Sequence, residues 1–260
     1  MTNVDNAPGA GGYASVNGLE MYYEIHGTGR PLILLHGGVG AIEMFGEVLT
    51  LLAEDRQVIA VDLQAHGRTA DIDRPLSFEL MADDIAALIR YLEIEKADLM
   101  GYSLGGGVAL QAAIWHPEVM RKLVVVSTPF RRDGWYPEIL AGMGQMGPEA
   151  AEPMKQTDWP VLLTKLGRLL GQDYDWSKDV AAMEAPAMIV VGDADSVRTA
   201  HALEFFELLG GGKADGGWDG SGMSNARLAI LPATTHYDIS FSPTLASTVT
   251  PFLDAPPAGS

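Results

Sequence analysis

Six residues, Gly101-Tyr102-Ser103-Leu104-Gly105-Gly106, carry the strongest chemical signal in the chain. The run Ala97-Asp98-Leu99-Met100 precedes them and a helix-like stretch, Gly107 to His116, follows. A serine between glycines at a strand-to-helix junction forms a nucleophile elbow. The turn is so tight that side chains two positions before or after the serine would strike neighbouring backbone, which explains Gly101 and Gly105. A helix starting at Leu104 would point free N–H groups and its positive dipole end at the place where negative charge develops.

A serine hydroxyl attacks only when a base takes its proton and a third group orients that base. In chains of this kind the partners follow the serine in the order acid, then histidine. The apolar run Ala187–Val191 leads into Gly192-Asp193-Ala194-Asp195, and Arg227–Leu231 leads into Pro232-Ala233-Thr234-Thr235-His236. Both loops are expected at the C-terminal edge of a parallel sheet, where sites on such sheets are built. Asp195 lies farther along its loop and can turn back to the histidine. It is preferred as the acid, with Asp193 bracing the turn and standing as the alternative.

His236 is preferred as the base over five other histidines on chain order and loop position. His26 closes an early hairpin strand, His116 sits at a helix end before Pro117, and His201 is read as a surface residue of a helix. His36 and His66 precede the serine and are read as structural. Stabilising an alkoxide needs two N–H donors. Leu104 offers one, and the loop His36-Gly37-Gly38-Val39-Gly40 offers the other, from Gly38 by preference and Val39 as the alternative. Asp193 and Asp195 make a D-x-D pair without an evident third hard ligand, so no metal is expected, and the chemistry calls for no cofactor.

These residues need a scaffold, and the hydrophobic periodicity describes one. Ala14–Val16 and Leu19–His26 alternate around Asn17-Gly18, a hairpin signal. Pro31–His36, Gln57–Asp62, Ala97–Met100, Leu123–Ser127, Ala187–Val191 and Arg227–Leu231 read as strands. Ile42–Ala53, Leu80–Leu92, Leu104–His116, Thr199–Leu209 and Pro243–Leu253 read as helices between and after them. The alternation predicts an α/β class: a doubly wound, mostly parallel sheet with an N-terminal antiparallel hairpin.

The rhythm breaks from Thr128 to Glu184, which is rich in methionine and tryptophan. Residues 13–127 and 185–254 are therefore expected to form the core, with 128–184 a short helical lid. Val39, Tyr102, Trp135, Met143, Met146 and Trp159 are the candidates to line a substrate pocket. Lys213–Ser224 reads as a Gly-rich surface loop.

The chain has 260 residues, 47% of them hydrophobic, which suffices for one large α/β domain. A net charge of −17 disfavours nucleic acid and anionic membrane as partners. Without cysteines there is no disulfide or thiolate chemistry. Met1–Gly12 lacks the features of a secretory signal and no apolar run is long enough for a membrane helix, so cytoplasm is the default expectation.

With these motifs assembled, the chain resembles the α/β-hydrolase fold superfamily, in its esterase, lactonase and cofactor-free haloperoxidase-like branch. The resemblance runs from about residue 13 to 254 and rests on His36-Gly37-Gly38, Asp62-Leu63-Gln64-Ala65-His66-Gly67-Arg68-Thr69, the elbow, Gly192-Asp193-Ala194-Asp195 and His236. It implies a nucleophile at Ser103, an acid at Asp195 and a base at His236. Relatives usually carry glycine where this chain has Ala65, and often where it has Ala233. The lid looks short for the family, which implies an open pocket. The expected activity is hydrolysis of small, apolar carboxylic esters through an acyl-enzyme, with the ester as the partner and a homodimer allowed. Lactone, peracid or carbon–carbon chemistry by the same triad is the alternative, as is a slow or non-enzymatic ligand-binding protein on this scaffold.

Overall fold

The computed structural model describes residues 9–143, 145–146 and 159–256. One eight-stranded sheet organises them, in the order β1-β2-β4-β3-β5-β6-β7-β8. The strands are β1 (Ala10–Val16), β2 (Leu19–His26), β3 (Arg30–Leu35), β4 (Arg56–Val61), β5 (Ala97–Tyr102), β6 (Met120–Val126), β7 (Ala187–Ala194) and β8 (Ala226–Thr235). β1 pairs antiparallel with β2 through the turn at Asn17 and Gly18, whose positive φ values of 48° and 85° suit a tight hairpin. β2 also pairs antiparallel with β4, and every later pairing is parallel. The expected fold class is the observed one.

The central strands bury both faces. In β3, Ile33 and Leu35 enter one apolar cluster while Leu32 and Leu34 enter the other, the two-residue alternation of a strand covered on both sides. Helices α2 (Phe78–Tyr91), α3 (Leu104–Trp115) and α7 (Thr199–Leu208) cover the first face. α1 (Glu47–Leu52) and α8 (Pro243–Asp254) cover the second. Ser77 caps α2, its Oγ accepting the Leu80 N–H at 3.0 Å. That cap starts the helix two residues before the position that apolar spacing indicates. The helix expected over Ile42–Ala53 is split: a 3-10 turn at Ile42–Phe45 and α1 meet at Gly46, whose φ of +47° breaks the helical path.

Between β6 and β7 the described residues form α4 (Pro137–Met143), α5 (Trp159–Leu170) and α6 (Ser177–Ala181). Lys165 fastens α5 to the loop after β4, donating to both Asp71 carboxylate oxygens at 2.8 and 2.6 Å and to the carbonyls of Ile72 and Arg74. Among the described residues, no helix is long and apolar enough to cross a membrane.

His201 departs from expectation. It is buried, not at the surface, and its ring stacks on Phe130 with centroids 4.1 Å apart. Neither ring nitrogen has a hydrogen-bond partner. Residues of helical spacing cannot reveal this, because the covering ring arrives from the segment after β6. Among the described residues, seven non-glycine residues have positive φ, including Ala65 (65°) and Ala233 (52°), the two positions where the resemblance implies glycine.

Two predictions follow from these local environments. Ala65→Gly and Ala233→Gly each relieve a left-handed alanine and are expected to gain about 1 kcal/mol, or about 2–4 °C in Tm. A thermal melt placing either variant at or below wild type would contradict strain there. Burial lowers the pKa of His201 to about 4 from its ordinary 6.5. The unfolded chain then binds more protons across that interval, so stability is fully present above about pH 6.5 and falls as acid approaches pH 4. His201→Phe keeps an aromatic stack and should lose less Tm than wild type between about pH 7 and about pH 4.5; equal losses would count against it.

Candidate active site

Ser103 sits between β5 and α3 with φ 52° and ψ −115°, a conformation that persists only where its surroundings over-determine it. Three bonds hold it. Its N–H donates to the Val126 carbonyl at 2.9 Å, its carbonyl accepts the Gly107 N–H at 3.1 Å, and the Thr128 hydroxyl donates to that same carbonyl at 2.8 Å. The flanking glycines are sterically required. A Cβ on Gly101 would stand 2.1 Å from the Gly105 carbonyl oxygen, and one on Gly105 would stand 2.4 Å from that of Leu35.

His236 follows the end of β8. Its Nε2 lies 3.2 Å from Ser103 Oγ and its Nδ1 lies 3.0 Å from Asp195 Oδ1. The Tyr102 hydroxyl donates to the His236 carbonyl at 2.6 Å, fixing the backbone of the imidazole from the strand that carries the serine. Burial pushes the Tyr102 phenol well above its usual pKa, so it stays a neutral donor.

Asp195 is buried and receives four donors. His236 Nδ1 and the Val197 N–H (3.1 Å) meet Oδ1, while the Ser127 hydroxyl and the Gly192 N–H (3.0 Å) meet Oδ2. Burial alone would raise its pKa. The hydrogen bond and charge of His236, with the bonds from Ser127 and Gly192, outweigh that and hold the carboxyl below its usual value. An ionised Asp195 keeps the proton of the neutral imidazole on Nδ1, leaving the Nε2 lone pair toward the hydroxyl. Asp193 points elsewhere, its Oδ1 accepting the Thr234 N–H at 3.2 Å and tying the two strand ends together.

The loop after β3 approaches the serine from the other side. A Cβ on Gly37 would stand 2.6 Å from the Tyr102 ring and 3.5 Å from Ser103 Cβ, and one on Gly38 would stand 3.9 Å from Leu104 Cβ. Among the described residues, the backbone N–H groups of Gly38, Val39 and Leu104 have no protein acceptor. The Gly40 N–H donates to the Gly37 carbonyl at 3.2 Å, closing a turn that leaves Val39 with φ 53°. Beneath the loop His36 is buried. Its Nδ1 donates to the Gly37 carbonyl at 2.7 Å and its Nε2 accepts the Leu63 N–H at 3.1 Å. Burial lowers its pKa to about 4, and burial with the neighbouring His36 ring lowers that of His66 to about 3. Both are therefore neutral structural groups, 5.0 Å apart between centroids.

Ser103 and His236 open onto a cavity of about 620 Å³. Val39, Tyr102, Trp135, Met143 and Met146 line it, as do Gly38 and Leu104. The side chain of Trp159 lies outside the described residues. The walls also include Phe78, Leu166 and Tyr174, which sequence reasoning missed. Leu166 carried a usable signal, the helical spacing of Leu162, Leu166 and Leu169, but Phe78 and Tyr174 reach the cavity only through tertiary packing. Among the described residues no group of three or more His, Asp or Glu side chains is placed to hold a metal ion.

Comparison with known proteins agrees with this architecture. The 2-hydroxymuconate semialdehyde hydrolase of Pseudomonas sp. (strain CF600) is 36% identical over 132 residues, covering 49% of this chain and 47% of that protein. The chain thus spans about half the length of the curated relatives it matches. An α/β-hydrolase enzyme from a Medee basin deep-sea metagenome library superposes with a TM-score of 0.78 at 16% identity, over 95% of this chain and 99% of that one. A carboxylesterase from Bacillus subtilis superposes with a TM-score of 0.73 at 17% identity, over 96% and 93%. A family model described as alpha/beta hydrolase fold matches residues 30–178. The chain belongs to the alpha/beta hydrolase fold family.

Proposed function

We propose that this protein is a serine hydrolase that cleaves small, apolar carboxylic esters through an acyl-enzyme, with Ser103 as nucleophile, His236 as base and Asp195 as orienting acid. The observation that carries the reading is the relay of contacts, Asp195 to His236 Nδ1 at 3.0 Å and His236 Nε2 to Ser103 Oγ at 3.2 Å. As Ser103 Oγ attacks the ester carbonyl, its proton passes to Nε2 and the ionised Asp195 stabilises the imidazolium. The oxygen that gains charge sits at the N-terminus of α3, beside the N–H groups of Leu104 and Gly38, with Val39 adjacent. The imidazolium then protonates the departing alcohol. Water, deprotonated by the same histidine, releases the acid and restores the serine.

The cavity supports the substrate class. Its thioether, leucine and aromatic walls favour an apolar acyl or alcohol group and offer little to a highly polar one. The 36% likeness to a 2-hydroxymuconate semialdehyde hydrolase favours a second reading, cleavage of a carbon–carbon bond beside a carbonyl by the same three residues.

Hydrolysis of p-nitrophenyl acetate and butyrate tests the proposal. Wild type should turn over both, and Ser103→Ala should lose about a thousandfold or more in kcat. Equal rates for the two proteins would remove Ser103 from the mechanism. Turnover of 2-hydroxymuconate semialdehyde with none of either ester would favour the carbon–carbon reading. Binding of a small apolar ester without turnover would favour a binding protein.

A further inference from the structure

Ser127, the residue after β6, is fully buried and adopts φ 52°, a backbone conformation that side-chain-bearing residues rarely take. Its N–H donates to the Val190 carbonyl at 2.8 Å, fastening the strand end to β7. Its hydroxyl donates to Asp195 Oδ2. Of the other donors to that carboxylate, the N–H groups of Gly192, near the end of β7, and Val197 belong to the same continuous segment as Asp195. Among the described residues, Ser127 is the one donor besides His236 that reaches Asp195 from another element.

That element also holds the serine. The carbonyl of Val126 accepts the Ser103 N–H, and the hydroxyl of Thr128 donates to the Ser103 carbonyl. β6 lies between β5, which delivers Ser103, and β7, which delivers Asp195. Three consecutive residues therefore bind both neighbours, Val126 and Thr128 toward the nucleophile and Ser127 toward the acid. A strand continued in its regular conformation would project Ser127 and Thr128 to opposite faces of the sheet. The left-handed turn at Ser127 replaces that geometry with one in which the two hydroxyls reach opposite flanking loops.

We infer that Ser127 is a positioning residue of the triad: its hydroxyl holds Asp195 in the rotamer that meets His236, and the end of β6 sets acid and nucleophile in register. This rests on the reading of Ser103, His236 and Asp195 as a triad. The proposal distinguishes positioning from simple satisfaction of a buried carboxylate. If Ser127 acts through Asp195, its removal matters only while Asp195 is present to be positioned.

The experiment compares p-nitrophenyl butyrate hydrolysis by wild type, Ser127→Gly, Asp195→Asn and the double variant across pH, with Ser127→Ala as the second single variant and Ser103→Ala as control. Glycine accepts the left-handed backbone, and alanine retains the Cβ. Each Ser127 single variant is expected to lose about tenfold in kcat, with KM within about twofold. The added loss in the Asp195→Asn background should stay under about twofold. Without the hydroxyl, Asp195 is free to leave the rotamer that meets His236, and the imidazolium loses part of the carboxylate that stabilises it. The acid limb of kcat/KM should therefore move down by about half a pH unit.

A lowered Tm with kcat within about twofold of wild type and an unmoved limb would overturn the proposal. So would a loss of the same size with and without Asp195. If one variant does not fold, the other decides. Should Ser103→Ala hydrolyse the ester at the wild-type rate, the triad reading itself fails, an outcome distinct from a null effect at Ser127.

Discussion

Helix α3 lies so close to β3, β5 and the segment after β6 that three contacts leave no room for a side chain. A methyl on Gly101, Gly105 or Gly106 would stand 2.1, 2.4 or 2.0 Å from its nearest neighbour. This approach goes with the strained turn at Ser103 and with a first helix N–H, that of Leu104, that has no protein acceptor among the described residues. It also brings the loop after β3 alongside, since the Gly105 N–H donates to the His36 carbonyl at 3.1 Å. The turn at Ser103 and the unpaired N–H groups beside it are thus consequences of one packing constraint. Loosening it would disturb both together.

The electrostatics divide into two zones. Beneath the loop, His36 and His66 are kept neutral by burial and serve as fixed donors and acceptors for backbone. On the far side Asp195 is also buried, yet four donors keep it ionised. Histidines of the same chain therefore sit in different surroundings. His236 touches a carboxylate at hydrogen-bond distance and the cavity, whereas His36 and His66 bond to backbone and His201 has Glu204 at 3.7 Å without a hydrogen bond. The surplus of acidic residues over the chain, net −17, bears on solubility and not on this local balance.

Much of this was legible from residue order. The alternation around Asn17-Gly18 marks the hairpin, the apolar runs mark parallel strands covered on both faces, and glycine spacing marks the turn at Ser103. Those signals are local, and local chemistry determines them. Chain order also puts Ser103, Asp195 and His236 on one rim, where the structure brings them within hydrogen-bond reach. What stayed hidden depends on contacts between segments far apart. The burial of His201 needs Phe130, the cavity walls need Phe78 and Tyr174, and the bond from Ser127 to Asp195 joins residues after different strands. The break at Gly46 was missed because one glycine within a helical pattern has no fixed meaning.

The central claim is that this geometry makes one hydroxyl among many unusually reactive. Labelling the native protein with a fluorophosphonate probe and mapping the modified peptide tests it most directly. The account predicts one equivalent of label on Ser103, lost on unfolding and lost in His236→Ala. Label distributed over several serines, or absent from Ser103 in folded protein, would contradict it.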